Sequence, residues 1–103
     1  MNITLRQLQV FAKVAETGSF TRASEQLFLT QPAVSQQVRQ LTETVGEPLF
    51  DTIGRRTFLT PAGEELLSAW KGIQLQWQQF EENLQATRSL HRGTLRLAAV
   101  STA

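Results

Sequence analysis

Few side chains in this sequence can do covalent chemistry. The 103 residues include no Cys, no Tyr and a single His, His91. Without a thiol there is no disulfide, thiolate metal site or cysteine nucleophile, and one imidazole does not make a zinc site. The Ser and Asp residues have only His91 as a possible base, at the far end of a long helical segment, which argues against an enzyme and against a resident metal or cofactor. The chain does offer hydrogen-bonding and basic side chains in acid-free stretches. Residues 26–42 contain Arg39 and no Asp or Glu, and residues 52–63 contain Arg55 and Arg56 and again no acid. A phosphate surface requires such segments. The net charge of +1 does not by itself call for a polyanion and equally fits a neutral binder or scaffold.

These residues need a scaffold, and a chain of 103 residues that is 41% hydrophobic and 18% charged is long enough for one small core. No apolar run approaches the roughly 20 residues of a membrane-spanning helix. Residues 1–9 lack the basic-then-apolar pattern of an export signal, so a cytoplasmic protein is expected.

Thr4-Leu5-Arg6-Gln7 reads as a capping box, followed by a first helix with Leu5, Leu8, Phe11 or Ala12, and Ala15 at helical spacing and Gly18 as its stop. Ser19 or Thr21 caps a short second helix that buries Phe20, Ala23 and Leu27. After a tight break at residues 28–30, Thr30 caps a third helix, with Pro32 in its first turn and Gly46 at its end. Val34, Val38, Leu41 and Val45 form its narrow apolar stripe, so Pro32, Ser35, Gln36, Arg39 and Gln40 fall on the opposite face, with Gln31 exposed at the start. Residues 49–53 and 57–59 are short β-favouring runs around Gly54-Arg55-Arg56, a hairpin signal. Two strands alone are marginal and must lean on the helices, which makes the arrangement a helix-turn-helix with a wing rather than a plain three-helix bundle with an irregular loop.

Thr60-Pro61 starts a further helix, with Glu64 and Glu65 near the positive end of its dipole. Leu66, Trp70, Ile73, Trp77, Phe80 and Leu84 are spaced 4, 3, 4, 3 and 4, a heptad seam. Over residues 61–90 such a helix is about 45 Å long, too long for a winged domain to cover. Self-association through the seam accounts for the surplus apolar surface, with packing back onto its own domain as the alternative. Beyond residue 91 the pattern changes to period two, with Leu95, Leu97 and Ala99 on one side, which predicts a strand opening a further domain. The fold class expected is mainly α: residues 1–60 a winged helix-turn-helix, 61–91 a long dimerisation (linker) helix, and 92–103 the first strand of a truncated domain.

Leu5-Arg6-Gln7-Leu8, Gly18-Ser19-Phe20-Thr21-Arg22-Ala23-Ser24, Thr30-Gln31-Pro32-Ala33-Val34-Ser35, Pro48-Leu49-Phe50 and Leu59-Thr60-Pro61-Ala62-Gly63 closely resemble the DNA-binding region of LysR-type transcriptional regulators. The resemblance spans residues 1–63, with several uncommon segments in the right order and spacing. The long helix and Arg92-Gly93-Thr94-Leu95 are similar to that family's linker helix and the start of its effector-binding domain, and residues 93–103 look like regulators of carbon-dioxide-fixation operons. The resemblance implies a bacterial regulator that binds an interrupted inverted repeat in double-stranded DNA as a homodimer or tetramer, with linker helices paired antiparallel. It also implies a small-molecule co-inducer held by a domain outside this sequence. The chain departs from the pattern at Thr52, where many members are basic, and at Thr42, where many are acidic. The first removes one expected phosphate contact near the wing.

In a helix-turn-helix the second helix of the motif enters the major groove, and its start offers free N–H groups to phosphate. Thr30 therefore begins the recognition segment. Gln31 and Gln36 suit base edges, Pro32 and Ala33 thymine methyls, and Ser35 and Arg39 either bases or phosphates. Arg6, Ser19, Thr21 and Arg22 are expected phosphate contacts that set register, and Arg55 and Arg56 suit the minor groove or its rim. The competing reading is a winged-helix protein-docking module, which salt dependence separates from nucleic-acid binding.

Overall fold

In the first part of the chain, hydroxyl side chains close the helix starts. Helix α1 (Leu5–Thr17) opens with Thr4 Oγ1 accepting from the Gln7 N–H at 3.1 Å, while Gln7 Oε1 accepts from the Thr4 N–H at 3.0 Å. Helix α2 (Phe20–Leu27) is capped by Ser19, whose Oγ accepts from the Arg22 N–H at 3.1 Å. Helix α3 (Gln31–Val45) is capped by Thr30, whose Oγ1 accepts from the Ala33 N–H at 3.2 Å. Strands β1 (Phe50–Ile53) and β2 (Arg56–Leu59) and helix α4 (Pro61–Ser101) complete the order. The computed structural model describes the backbone of residues 1–101 and the side chains of residues 1–90. The chain divides into a unit from Met1 to Trp70 and a second from Lys71 onward.

The first unit buries Val34, Val38 and Leu41 of the expected stripe of α3 and leaves Val45 half-buried against the core. Val34 and Val38 join Val10, Val14 and Ala23 in one apolar cluster, and Leu41 joins Leu8, Phe11, Leu49 and Trp70 in another. Phe50 packs against both clusters, its ring centroid 5.2 Å from that of Phe11 and 5.9 Å from that of Phe20. This residue roots the wing. The strands pair antiparallel in the register Phe50↔Leu59 to Ile53↔Arg56, leaving Gly54 and Arg55 as a two-residue turn. Gly54 sits at φ 65°, a conformation that costs a side chain with a Cβ about 1 kcal/mol or more. A hairpin this short has little stability of its own. It is held by Phe50 and Leu59 against the core and by the Thr57 N–H, which donates to the Gly18 carbonyl at 3.3 Å.

Thr60 locks the wing to α4. Its Oγ1 donates to the Pro48 carbonyl at 2.6 Å and accepts from the Gly63 N–H at 3.0 Å, while its own N–H donates to the Leu49 carbonyl at 3.0 Å. Gly63 is needed here for space: a Cβ would overlap the Leu49 carbonyl oxygen and come within 2.9 Å of Leu59 Cδ2. A residue that weakens a helix by propensity therefore lets α4 approach the strand backbone.

Two expectations are corrected. The heptad seam is not one surface: Trp70 is only 6% exposed and belongs to the core cluster with Leu8, Phe11, Leu41 and Leu49, and Leu66 packs against that cluster. Core burial, rather than association, uses these two residues because the winged unit needs a lid for Phe11 and Leu41. The strand expected at residues 94–99 is helical, since α4 runs to Ser101. A helix satisfies its own backbone hydrogen bonds, whereas a lone strand needs a neighbour. The side-chain pattern beyond residue 90, and residues 102 and 103, lie outside the described residues.

In the second unit every described side chain from residue 71 to 90 is exposed, including Ile73, Trp77, Phe80 and Leu84 of the seam. Trp77 and Phe80 pack on each other, ring centroids 5.2 Å apart. No helix among the described residues is long and apolar enough to cross a membrane.

Candidate nucleic-acid interface

The buried stripe of α3 determines what its other side presents. With Val34, Val38 and Leu41 inward, Gln31, Pro32, Gln36, Arg39 and Gln40 are exposed, and Ala33 and Ser35 are half-buried at the margin. Gln31 Nε2 donates to Ser35 Oγ at 3.1 Å, so two of these polar groups are already oriented by one another, one turn apart. The Ser35 hydroxyl keeps its own hydrogen for another acceptor. Thr30 is exposed and occupied as the cap, which leaves the Gln31 N–H unpaired in the helix and Pro32 with none to satisfy.

A second polar group lies at the start of α2. Ser19 is half-buried, and Thr21 and Arg22 are exposed. The Thr57–Gly18 hydrogen bond ties the junction between α1 and α2, just before Ser19, to the wing strand β2, whose turn carries Arg55 and whose first residue is Arg56. Arg6 is exposed in the first turn of α1. Among the described residues the one ion pair joins Lys13 to Glu16 at 3.1 Å, leaving Arg6, Arg22, Arg39, Arg55 and Arg56 each without a carboxylate partner. Five exposed guanidinium groups held on the same unit and uncommitted to acids can take phosphates.

Sequence reasoning missed two exposed apolar side chains in this region. Phe28 ends α2 at φ 57° with its ring 94% exposed, and Ile53, 69% exposed, stands beside the wing turn. The signal for Ile53 was present, because alternation within β1 puts it, like Asp51, on the face opposite half-buried Phe50. For Phe28 no local signal exists, since left-handed backbone is rare for aromatic residues.

The comparisons with known proteins agree with this geometry. Residues 5–64 match the sequence family described as bacterial regulatory helix-turn-helix protein, lysR family. The chain is 50% identical over 101 residues to the HTH-type transcriptional activator CmpR of a Synechocystis species, covering 98% of this chain and 33% of that protein. It is likewise 50% identical over 99 residues to the RuBisCO operon transcriptional regulator of Acidithiobacillus ferrooxidans, covering 96% and 32%. The chain thus spans about a third of the length of these curated relatives. Among solved structures it is similar to the CbnR DNA-binding domain in its DNA complex, with a TM-score of 0.75, 28% identity, and coverage of 82% of this chain and 98% of that one. It is also similar to Vibrio fischeri DarR in complex with DNA, with a TM-score of 0.75, 29% identity, and coverage of 87% and 31%. A winged helix-turn-helix with these caps, this wing anchorage and a family match across residues 5–64 establishes that the chain belongs to the LysR family of bacterial regulatory helix-turn-helix proteins.

Proposed function

We propose that this chain is the DNA-binding part of a transcriptional regulator, with α3 in the major groove and the wing at the minor groove. The observation that carries this reading is the outer face of α3, free of acids from Gln31 to Thr42, held on the same unit as an α2 start and a basic wing that one hydrogen bond ties together. Gln31 and Gln36 read base edges, Pro32 and Ala33 meet thymine methyls, and Ser35 and Arg39 take bases or phosphates. Arg6, Ser19, Thr21, Arg22 and Thr30 fix register on phosphates, and Arg55 and Arg56 lie at the minor groove. Family membership and the DNA complexes of the structural neighbours support DNA binding by this unit.

The operator is an inverted repeat, bound by a homodimer formed through Ile73, Trp77, Phe80 and Leu84 of α4, and the longer protein is a dimer or tetramer. Support for the seam comes from its exposure in the single chain. The relative that regulates a RuBisCO operon favours a carbon-dioxide-fixation operon as target, and membership of the family favours a small-molecule co-inducer acting on a domain outside this sequence, a cytoplasmic location and a non-enzymatic role.

The test is a selection of genomic DNA with this chain, followed by footprinting at two salt concentrations. A protected inverted repeat, with half-sites about one or two helical turns apart and affinity falling steeply with salt, is the expected result. Gln36→Ala then lowers discrimination at one or two base pairs without changing the salt slope, whereas Arg56→Ala weakens all sequences and lowers the slope by about one. Salt-insensitive binding, or no enrichment by a folded chain, overturns the reading and points to docking on a protein.

A further inference from the structure

Arg56 and Phe58 stand two residues apart on the exposed side of β2, and Arg56 Cζ lies 5.9 Å from the Phe58 ring centroid, over its face. Core packing does not account for this phenylalanine. The wing's inward residues Phe50 and Leu59 join the core, while Phe58 remains 44% exposed. Directly across the hairpin from Phe58 is Asp51, and across from Arg56 is Ile53. Asp51 is thus diagonal to Arg56 on the same exposed face, a separation of roughly 7–8 Å between backbones that long side chains can close. It nevertheless makes no ion pair among the described residues.

We propose that Phe58 is a positioning residue for DNA binding: its ring holds the Arg56 guanidinium over its face, unpaired with Asp51 and ready for phosphate. The inference rests on the reading above that the wing meets DNA. A cation over an aromatic face is held by the ring quadrupole without using its hydrogen-bond donors. The guanidinium N–H groups lie in the guanidinium plane, so stacking leaves them free for a phosphate, whereas pairing with Asp51 occupies the same donors and cancels the charge. Stacking also narrows the rotamers of a side chain that otherwise loses freedom on binding. Removing the ring frees Arg56 to collapse toward Asp51, so both its order and its charge are lost to the DNA.

The test measures affinity of the whole chain for the duplex recovered by the genomic selection, across a salt series. The variants are Phe58→Ala, Phe58→Leu, Phe58→Trp, Arg56→Ala and the double variant Arg56→Ala with Phe58→Ala. Phe58→Ala is expected to weaken binding about two- to fivefold at low salt and to lower the salt slope toward that of Arg56→Ala. Phe58→Leu, which keeps apolar volume without the quadrupole, behaves like Phe58→Ala and serves in its place if the alanine variant does not fold. Phe58→Trp restores affinity and slope, Asp51→Asn partly rescues Phe58→Ala, and in the Arg56→Ala background loss of the ring has no further effect. Unchanged affinity in Phe58→Leu, or losses that add in the double variant, overturns the positioning role. An unchanged salt slope in Arg56→Ala overturns it as well and leaves α3 binding intact. Absence of salt-dependent binding by the parent chain instead removes the DNA reading itself.

Discussion

Trp70 and Trp77 lie on one helix, seven residues apart, in the same apolar seam, yet one is 6% exposed and the other 60% exposed. Trp70 closes the core of the winged unit over Phe11, Leu41 and Leu49, while Trp77 has only Phe80 stacked beside it. A heptad pattern tells which side of a helix seeks cover; it does not tell what provides it. In this chain the first two positions of the seam are covered by the domain that the helix follows, and the next four are exposed. One sequence pattern thus serves folding at one end and, at the other, leaves an exposed apolar face that the proposed dimer would cover.

The comparison breaks most readily at the two tryptophans. Trp70→Ala should cost about 3–5 kcal/mol of unfolding free energy by denaturant titration, irrespective of protein concentration. Trp77→Ala, measured on dilute protein, should stay within about 0.5 kcal/mol of the parent. Equal losses in the two variants would mean that the exposed seam is part of the fold. Trp77→Glu combined with Phe80→Glu should convert dimers to folded monomers in sedimentation, with weak binding to half-sites; an unchanged mass excludes the seam as the interface. At the junction between wing and helix, Gly63→Ala should destabilise by about 1–3 kcal/mol, because the new Cβ overlaps the Leu49 backbone carbonyl, which must shift to admit it. Thr60→Ala should lose about 1–2 kcal/mol in the same titration, since it removes the α4 cap and the tie to the Pro48 carbonyl. The smallest effect has the opposite sign. Phe28→Asn should stabilise by roughly 0.5–1 kcal/mol, because asparagine tolerates the left-handed backbone better and the exposed ring gives up little burial.

Much of the winged unit was legible residue by residue. Thr4 with Gln7, Thr30 and Thr60 announced helix starts because a cap is a contact between side chain and backbone three residues apart, which sequence spacing specifies directly. The inward stripe of α3 followed from helical period alone, and with it the polar outer face of the candidate site. Gly54 marked the hairpin for a similarly local reason.

The remaining features depend on contacts that sequence distance hides. The tie from Thr57 to Gly18 that brings the α2 start to the wing joins residues with two helices between them, and no local pattern specifies it. The requirement for glycine at position 63 comes from the Leu49 carbonyl just before β1, not from the helix that contains it. Period two in residues 94–99 suggested a strand, but a strand requires a neighbour to receive its backbone hydrogen bonds, and a helix closes those bonds within itself. By itself the sequence determined where helices begin, which sides are apolar and where the bases and amides gather, since each of these rests on neighbours a few residues away. Only the tertiary structure decided which apolar positions are spent on the core and that the wing is tied to the junction before α2, because burial and long-range contact are properties of the whole packing and not of any one segment's periodicity.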